Sequence, residues 1–340
     1  MTAIGSLPHT DPGQACALML DALPEMPAWP QLTKRSFLEN MYAQYSEGLP
    51  GIRVIEKDGR IWFQVDESID AELEGFYQAV IDEDLDRFAI SEEYAAGLHC
   101  FMSGELMAEL EKKPFVKGQV TGPVSFGLTV TDQNRRASLY NETLEQVIVK
   151  GLALKSKWQS HELRKAAPSA QVVMFFDEPY LVSVGSALIS VSREQVIRDI
   201  KECMEGSGAD LTGVHCCGNT DWSALFETGV DIINFDAFDY LDNFIAYDDE
   251  INAHVKRGGM IAWGVVPNDE RVFDETGEML AGIIESAFDI LEARGVDRAT
   301  LARQSLITPA CGLGTTSTQA AEVALFMLED VSRTLRERYS

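Results

Sequence analysis

Short apolar runs rich in Val, Ile and Phe recur along the chain, each ending in a polar or Gly/Pro cluster. About eight of them read as strands: Ala3 to Ser6, Ala28 to Leu32, Phe115 to Val120, Val172 to Asp177, Leu211 to Cys216, Ile232 to Asp236, Met260 to Val266, and Ser305 to Thr308. Helical periodicity separates most of the runs and is clearest over Arg193 to Gly206, Trp222 to Thr228, Thr276 to Arg294 and Thr318 to Arg338. Strands alternating with helices predict a parallel sheet, and about eight of them over roughly 300 residues predict a single (β/α)8 TIM barrel of the α/β class. An open doubly wound sheet is the alternative. The segment Ile52 to Val65 alternates around Asp58-Gly59 and predicts a hairpin. Acidic helices follow from Asp66 to Gly104, expected as a cover over one end of the barrel. Hairpin and helices together form an insertion at about residues 50–110, after the second strand, in a chain read as one domain from 1 to 340.

Composition narrows the function. Hydrophobic residues make up 46% and charged residues 24%, the balance of a globular protein rather than a disordered one. A formal charge of −26 repels phosphate backbones and anionic lipid, which argues against nucleic acid or a membrane surface as partner. No apolar run reaches the roughly 20 residues needed to cross a bilayer, and MTAIGSLPHT lacks a basic segment followed by an apolar one, so a cytoplasmic location is expected. Six cysteines in 340 residues are too few for a disulfide scaffold, which leaves reduced thiols as metal ligands or small core residues.

Position separates these two uses. In a parallel barrel, reactive groups collect where the C-terminal ends of the strands open onto one mouth. His215-Cys216-Cys217-Gly218 stands at such an end, and alternation along an extended segment turns His215 and Cys217 to one side and Cys216 to the other. Cys311 follows the last expected strand and reaches the same mouth if the barrel closes. An imidazole nitrogen and two thiolates suit tetrahedral zinc, and three protein ligands leave one position open. Asp236, ending Ile232 to Asp236, is a candidate displaceable fourth ligand. The bland alternative is that each cysteine is a small buried hydrophobe, and this reading is kept for Cys16, Cys100 and Cys203, which fall in helical stretches.

Other strand ends carry polar groups. Asp177-Glu178-Pro179 puts two carboxylates where a substrate ammonium would arrive, with helix capping as the structural alternative. In Ile4-Gly5-Ser6 the glycine permits close backbone approach to a ligand. Gln31, Lys34 and Arg35 form a cationic cluster aimed at the expected mouth, suited to a carboxylate or phosphate. Gly312-Leu-Gly314 lacks the lysine of a phosphate loop.

With these residues in place, the sequence resembles the catalytic C-terminal half of cobalamin-independent methionine synthase, in the superfamily it shares with uroporphyrinogen decarboxylase and with methanogen corrinoid-to-coenzyme M methyltransferases. Ile4-Gly5-Ser6, Val120-Thr-Gly-Pro-Val124, Asp177-Glu-Pro179, His215-Cys-Cys217 and Ala310-Cys-Gly-Leu313 carry the likeness through nearly the whole chain. The resemblance implies a barrel whose zinc is held by His215, Cys217 and Cys311, with Asp236 at the family's glutamate position. It also implies homocysteine as substrate, its backbone end at Ser6 and its ammonium at Asp177. Two departures bear on the methyl donor. The family's folate-stacking tryptophan falls near Thr129 and its proton-donating histidine near Val265, so methyltetrahydrofolate is disfavoured and methylcobalamin or another methylcorrinoid is expected, with or without a corrinoid protein. Coenzyme M as acceptor, a porphyrinogen decarboxylase and a non-catalytic zinc- or corrinoid-partner protein are the alternatives.

Overall fold

The computed structural model describes residues 1–186 and 189–339, and the alternating segment after residue 50 is the hairpin expected of it. β1 (Ile52–Ile55) pairs antiparallel with β2 (Arg60–Phe63), and Gly59, at φ +58°, makes the turn in a backbone region that costs a residue with a Cβ. The next strands are β3 (Phe115–Thr121) and β4 (Thr131–Asp132). The short β4 runs parallel to β2, so the hairpin gains its third strand from beyond the insertion.

The remaining strands are β5 (Gln171–Asp177), β6 (Leu211–Cys216), β7 (Ile232–Asp236), β8 (Met260–Val266) and β9 (Ser305–Pro309). Among the described residues they form with β3 one curled, all-parallel sheet in the order β3-β5-β6-β7-β8-β9. Helices fill the connections, among them Glu142–Ala166, Arg193–Glu205, Trp222–Glu227 and Gly277–Ala293, and Thr318–Tyr339 closes the chain. Among the described residues no helix is long and apolar enough to cross a membrane.

The pleat divides each strand between two environments. Val173, Phe175, Ile232 and Ala262 meet Met26, Phe115, Leu211, Met260 and Leu306 in a small inner cluster. Their alternate neighbours Val172, Met174, Phe176, Val214, Ile233, Phe235 and Trp263 belong to the large outer core shared with the helices. There Phe235 stacks on Phe244 at 3.9 Å between ring centres, and Trp222 and Trp263 meet both rings edge-on. Each such side chain contributes roughly 1.5–3 kcal/mol by leaving water, so the outer layer is the main source of stability. The inner face is left to polar groups near the strand ends.

The first two expected strands depart from the pattern. Residues 3–6 and 28–32 form isolated bridges, Ser6 with Gln31 and Ala28 with Lys117, instead of ladders. Their backbones do lie in sequence across the gap: Leu7 N donates to Gln31 O at 2.9 Å, Lys117 N to Pro27 O at 2.9 Å, and Thr2 N to Ile307 O at 3.1 Å. Pro8, Pro27 and Pro30 have no N–H to offer a ladder, and Gly5 takes φ +145°. Side chains of β3 supply the missing bonds. Lys117 Nζ donates to Ile4 O at 2.7 Å, and Gln119 Nε2 to Trp29 O at 3.1 Å.

The acidic segment after the hairpin is helical, with helices Ile69–Asp82, Ala96–Phe101 and Gly104–Leu110. The first of these contacts the flank of Glu142–Ala166, where Phe76 lies over Gly151 and Lys157 reaches Glu83 just past the helix at 2.6 Å. Ala96–Phe101 sits against Pro12–Ala22, with Cys16 Sγ donating to Gly97 O at 3.4 Å. Gly97 makes the closest approach: a Cβ there would stand 1.8 Å from Pro30 O. Gly97→Ala must therefore push the helix away from residues 28–31, and we expect a loss of about 1–3 kcal/mol or more, measured by urea unfolding. Unchanged stability would show that this contact is slack.

Candidate metal centre

The inner face of the sheet carries the chemistry. Register places His215 of β6 beside Asp177 of β5 on one side and beside Asn234 of β7 on the other. The two residues after His215 are Cys216, buried in the outer core with its sulfur 3.6 Å from Gly218 O, and Cys217, turned back to the inner side. Burial pushes the Cys216 thiol up to about 12, which leaves it an inert packing group.

Cys311 arrives from the far edge of the sheet. The pairing of β8 with β9 slips between Gly264 and Val266, and Ala310 N donates to Val266 O at 2.8 Å, which swings the chain after Pro309 over the strand ends. A Cβ on Gly264 would lie 2.4 Å from Phe235 O and 3.0 Å from Ala310 Cα, so only glycine lets the two chains come this close. His215 Nε2 then stands 3.5 Å from Cys311 Sγ, and one ligand atom from each of His215, Cys217 and Cys311 lies within 4.8 Å of the others. Zinc–nitrogen and zinc–sulfur bonds of about 2.0 and 2.3 Å at a tetrahedral angle put nitrogen and sulfur about 3.5 Å apart. The donor set and its spacing fit that ion, and three ligands leave a fourth position open.

Protons are unevenly shared within the cluster. The hydrogen bond from Cys311 holds the Cys217 thiol down to about 4 against the opposing effect of burial, and His215 adds to the lowering. The same hydrogen bond, together with burial, pushes Cys311 well above the ordinary thiol range. Burial works to lower His215, but its contacts with Cys217, Asp177 and Asn234 outweigh it and raise the imidazole.

Asp177 comes to the same place. Its Oδ1 is shut off from solvent and has no hydrogen-bond partner, and burial lifts the carboxyl to about 6 while His215 and Lys117 pull it down. Ser6 is near Cys311 through the following loop, for Leu313 N donates to Ser6 O at 3.0 Å and Gly314 N to Ser6 Oγ at 3.2 Å. Gly5 is needed here, since a Cβ would meet the Gln119 amide at 2.6 Å. Ile4 is buried and gives its carbonyl to Lys117. Asp236 stands outside the three-residue cluster; its Oδ1 accepts Asp239 N at 2.9 Å, and burial lifts it to about 6.

Several residues have different partners from those expected. Glu178 caps helix Pro123–Thr129, its two oxygens accepting from Val124 N at 3.0 Å and Ser125 N at 2.7 Å. Burial lifts it to about 7, and those bonds oppose the rise. Gln31 donates to Gln44 at 2.8 Å, Lys34 to Thr316 O at 2.6 Å, and Arg35 pairs with Glu39 at 2.6 Å. The expected cationic cluster thus ties neighbouring loops together, with Lys34 fastening the segment that follows Cys311.

Two inner-face residues had no role in the sequence reading. Asn234 is wholly buried, with its Oδ1 2.5 Å from His215 Nδ1 and its Nδ2 donating to Ala262 O at 2.9 Å and Thr308 Oγ1 at 2.8 Å. Lys117 is also wholly buried, its ammonium 3.4 Å from Gln119 Oε1 and 4.5 Å from the centre of the Phe175 ring. Burial draws it down to about 8, and Asp177 resists. Parity is the signal that marks both: each is a polar residue at an inward position of a buried strand.

No family model matches the sequence, and no curated protein matches it. Solved structures do. A B12-independent methionine synthase from Shewanella sp. W3-18-1, solved in complex with selenomethionine, superposes with a TM-score of 0.60 at 15% identity, covering 99% of this chain and 98% of its own. A methyltransferase from Methanosarcina mazei superposes at 0.51 and 13% identity, covering 98% of this chain and 87% of its own. This chain thus shares its fold with these two proteins over nearly its whole length, and of the eight strands expected for a closed barrel, six form regular ladders among the described residues. The proton sharing gives a direct test in the metal-free protein. A lowered thiol stays ionised as pH falls, so alkylation of Cys217 by iodoacetamide should be nearly flat from pH 8 to 5 and fall only near pH 4. Cys311→Ala, which removes the donor, should move that inflection upward; a wild-type inflection near 8.5 would show that Cys311 does not donate to Cys217.

Proposed function

We propose that this chain is a zinc-dependent thiol methyltransferase that moves a methyl group from a methylcorrinoid to the sulfur of homocysteine, giving methionine. The observation that carries this reading is the convergence of His215 Nε2, Cys217 Sγ and Cys311 Sγ beside the unpartnered Asp177 carboxylate oxygen. On this reading residues 3–6 and 28–32 stand in the first two strand positions of a (β/α)8 barrel, and Asp236 is a displaceable fourth ligand.

Zinc held by His215, Cys217 and Cys311 would lower the proton affinity of an incoming thiol and fix its sulfur in place. The chain does the rest by positioning. Asp177 Oδ1, which otherwise pays an uncompensated burial cost, accepts the substrate ammonium. Ser6, fixed by the Leu313 and Gly314 amides, borders the amino-acid end, with Ile4 and Gly5 as its floor. The sulfur–methyl bond forms as the methyl–donor bond breaks, the thiol proton is released, and the bonding pair leaves with the donor.

Donor chemistry follows from two positions. By the resemblance in the sequence, the family's proton-donating histidine falls near Val265 and its ring-stacking tryptophan near Thr129, and Val265 is an apolar side chain packed into the outer core. A cobalt leaving group needs no proton, whereas the nitrogen of methyltetrahydrofolate does. The ammonium-seeking Asp177 favours homocysteine over coenzyme M. A porphyrinogen decarboxylase would need cations for its many substrate carboxylates, and Lys34 and Arg35 are already engaged.

The test is metal quantification followed by a donor screen with homocysteine, reading methionine by mass spectrometry. We expect one zinc per chain, turnover with methylcobalamin, and loss in Cys311→Ser beyond the roughly 10–100-fold that removal of an outer-shell partner costs. Asp177→Asn should raise KM for homocysteine roughly 10–100-fold, the value of about 1.5–3 kcal/mol for a charged hydrogen bond. Methionine formation that survives Cys311→Ser refutes the zinc role, and turnover with methyltetrahydrofolate alone refutes the donor assignment.

A further inference from the structure

The amide of Asn234 has only one orientation open to it. Ala262 O is a carbonyl and can only accept, so the atom 2.9 Å away must be the NH2 group, which also reaches Thr308 Oγ1 at 2.8 Å. The oxygen is left facing His215 Nδ1 at 2.5 Å. An amide oxygen can only accept, so Nδ1 must carry a hydrogen. In the neutral imidazole that leaves the lone pair on Nε2, the nitrogen 3.5 Å from Cys311 Sγ. The anchors lie on neighbouring strands, β8 and β9, and all three residues are fully buried, so neither water nor rotation offers an alternative partner.

From this geometry we infer that Asn234 is a positioning residue that selects the Nδ1–H tautomer of His215 and so commits Nε2 to the metal. The inference rests on the zinc reading of the site for its purpose, although the tautomer itself does not. An amide is suited to this task. With zinc bound, two cysteinates and a substrate thiolate would give the site a surplus of negative charge, and a neutral acceptor would orient the ring without adding to it.

The experiment is 15N-labelled histidine NMR on the metal-free protein, with His215→Ala used for assignment, alongside zinc affinity by competition with a chromophoric chelator. At a pH above the titration of the imidazole, wild type should show His215 protonated at Nδ1, with Nε2 bearing the lone pair. Asn234→Ala should mix the tautomers and weaken zinc roughly 10–100-fold. Asn234→Asp separates orientation from anchoring: its carboxylate still accepts from Nδ1, but its second oxygen faces Ala262 O, so tautomer and zinc affinity should hold while the melting temperature falls. A merely structural asparagine predicts that zinc affinity follows stability in both variants, which would overturn the inference. So would a wild-type His215 protonated at Nε2, a result that stands even if Asn234→Ala does not fold. Wild type that takes up no zinc yet shows the Nδ1–H form would defeat the functional reading and leave the tautomer assignment intact.

Discussion

Parallel hydrogen-bond register is the constraint on which the site depends. With Asp177 opposite His215 and His215 opposite Asn234, three side chains from distant parts of the sequence share one level of the inner face. None of the three could be moved alone, because a slip of one residue in any strand would send its side chain into the apolar outer layer. The outer layer prevents that slip. Phe235, Trp222, Phe244 and Trp263 interlock around β7 and β8, so the register of the polar face is enforced by apolar packing on the opposite face.

The inner face carries an unusual load of buried polar groups. Lys117, Gln119, Asn234 and Thr308 are closed off from water, and Asp177 keeps an unpartnered oxygen. Each would be costly if unsatisfied, yet Lys117, Gln119 and Asn234 bond to backbone carbonyls in neighbouring segments. Lys117 and Gln119 take on the work that a regular ladder would have done for residues 4 and 29. The opening of the sheet and its polar filling are therefore one feature, since side-chain donors from β3 meet the carbonyls of Ile4 and Trp29 in the two segments that form no ladder.

What the sequence disclosed follows from the same physics. The six regular strands of the sheet were legible because their apolar runs are bounded by turns and β-branched residues, and His215 with Cys217 was legible from alternation alone. Residues 3–6 and 28–32 look equally strand-like in composition, but Gly5 at φ +145° in the first and Pro30 in the second interrupt a ladder, and the neighbours that rescue them lie some 90 to 110 residues away. Glu178 could not be assigned because the helix that it caps begins at Pro123, far behind it in sequence. Lys34 and Arg35 pointed to an anion only while their partners, Thr316 O and Glu39, were unknown. Asn234 and Lys117 were within reach, since each is a polar residue at an inward position of a buried strand.

The slip between β8 and β9 limits how this protein can vary. It delivers the chain after Pro309 to the mouth at a fixed phase, with Ala310 pinned to Val266 and Leu313 to Ser6 on either side of Cys311. One residue more or fewer between those two pins would rotate the sulfur out of reach of His215, whatever the side chains around it. The length of this short stretch is thus as much a part of the metal site as the cysteine within it, and insertions or deletions should be tolerated far better in the outer helices than here.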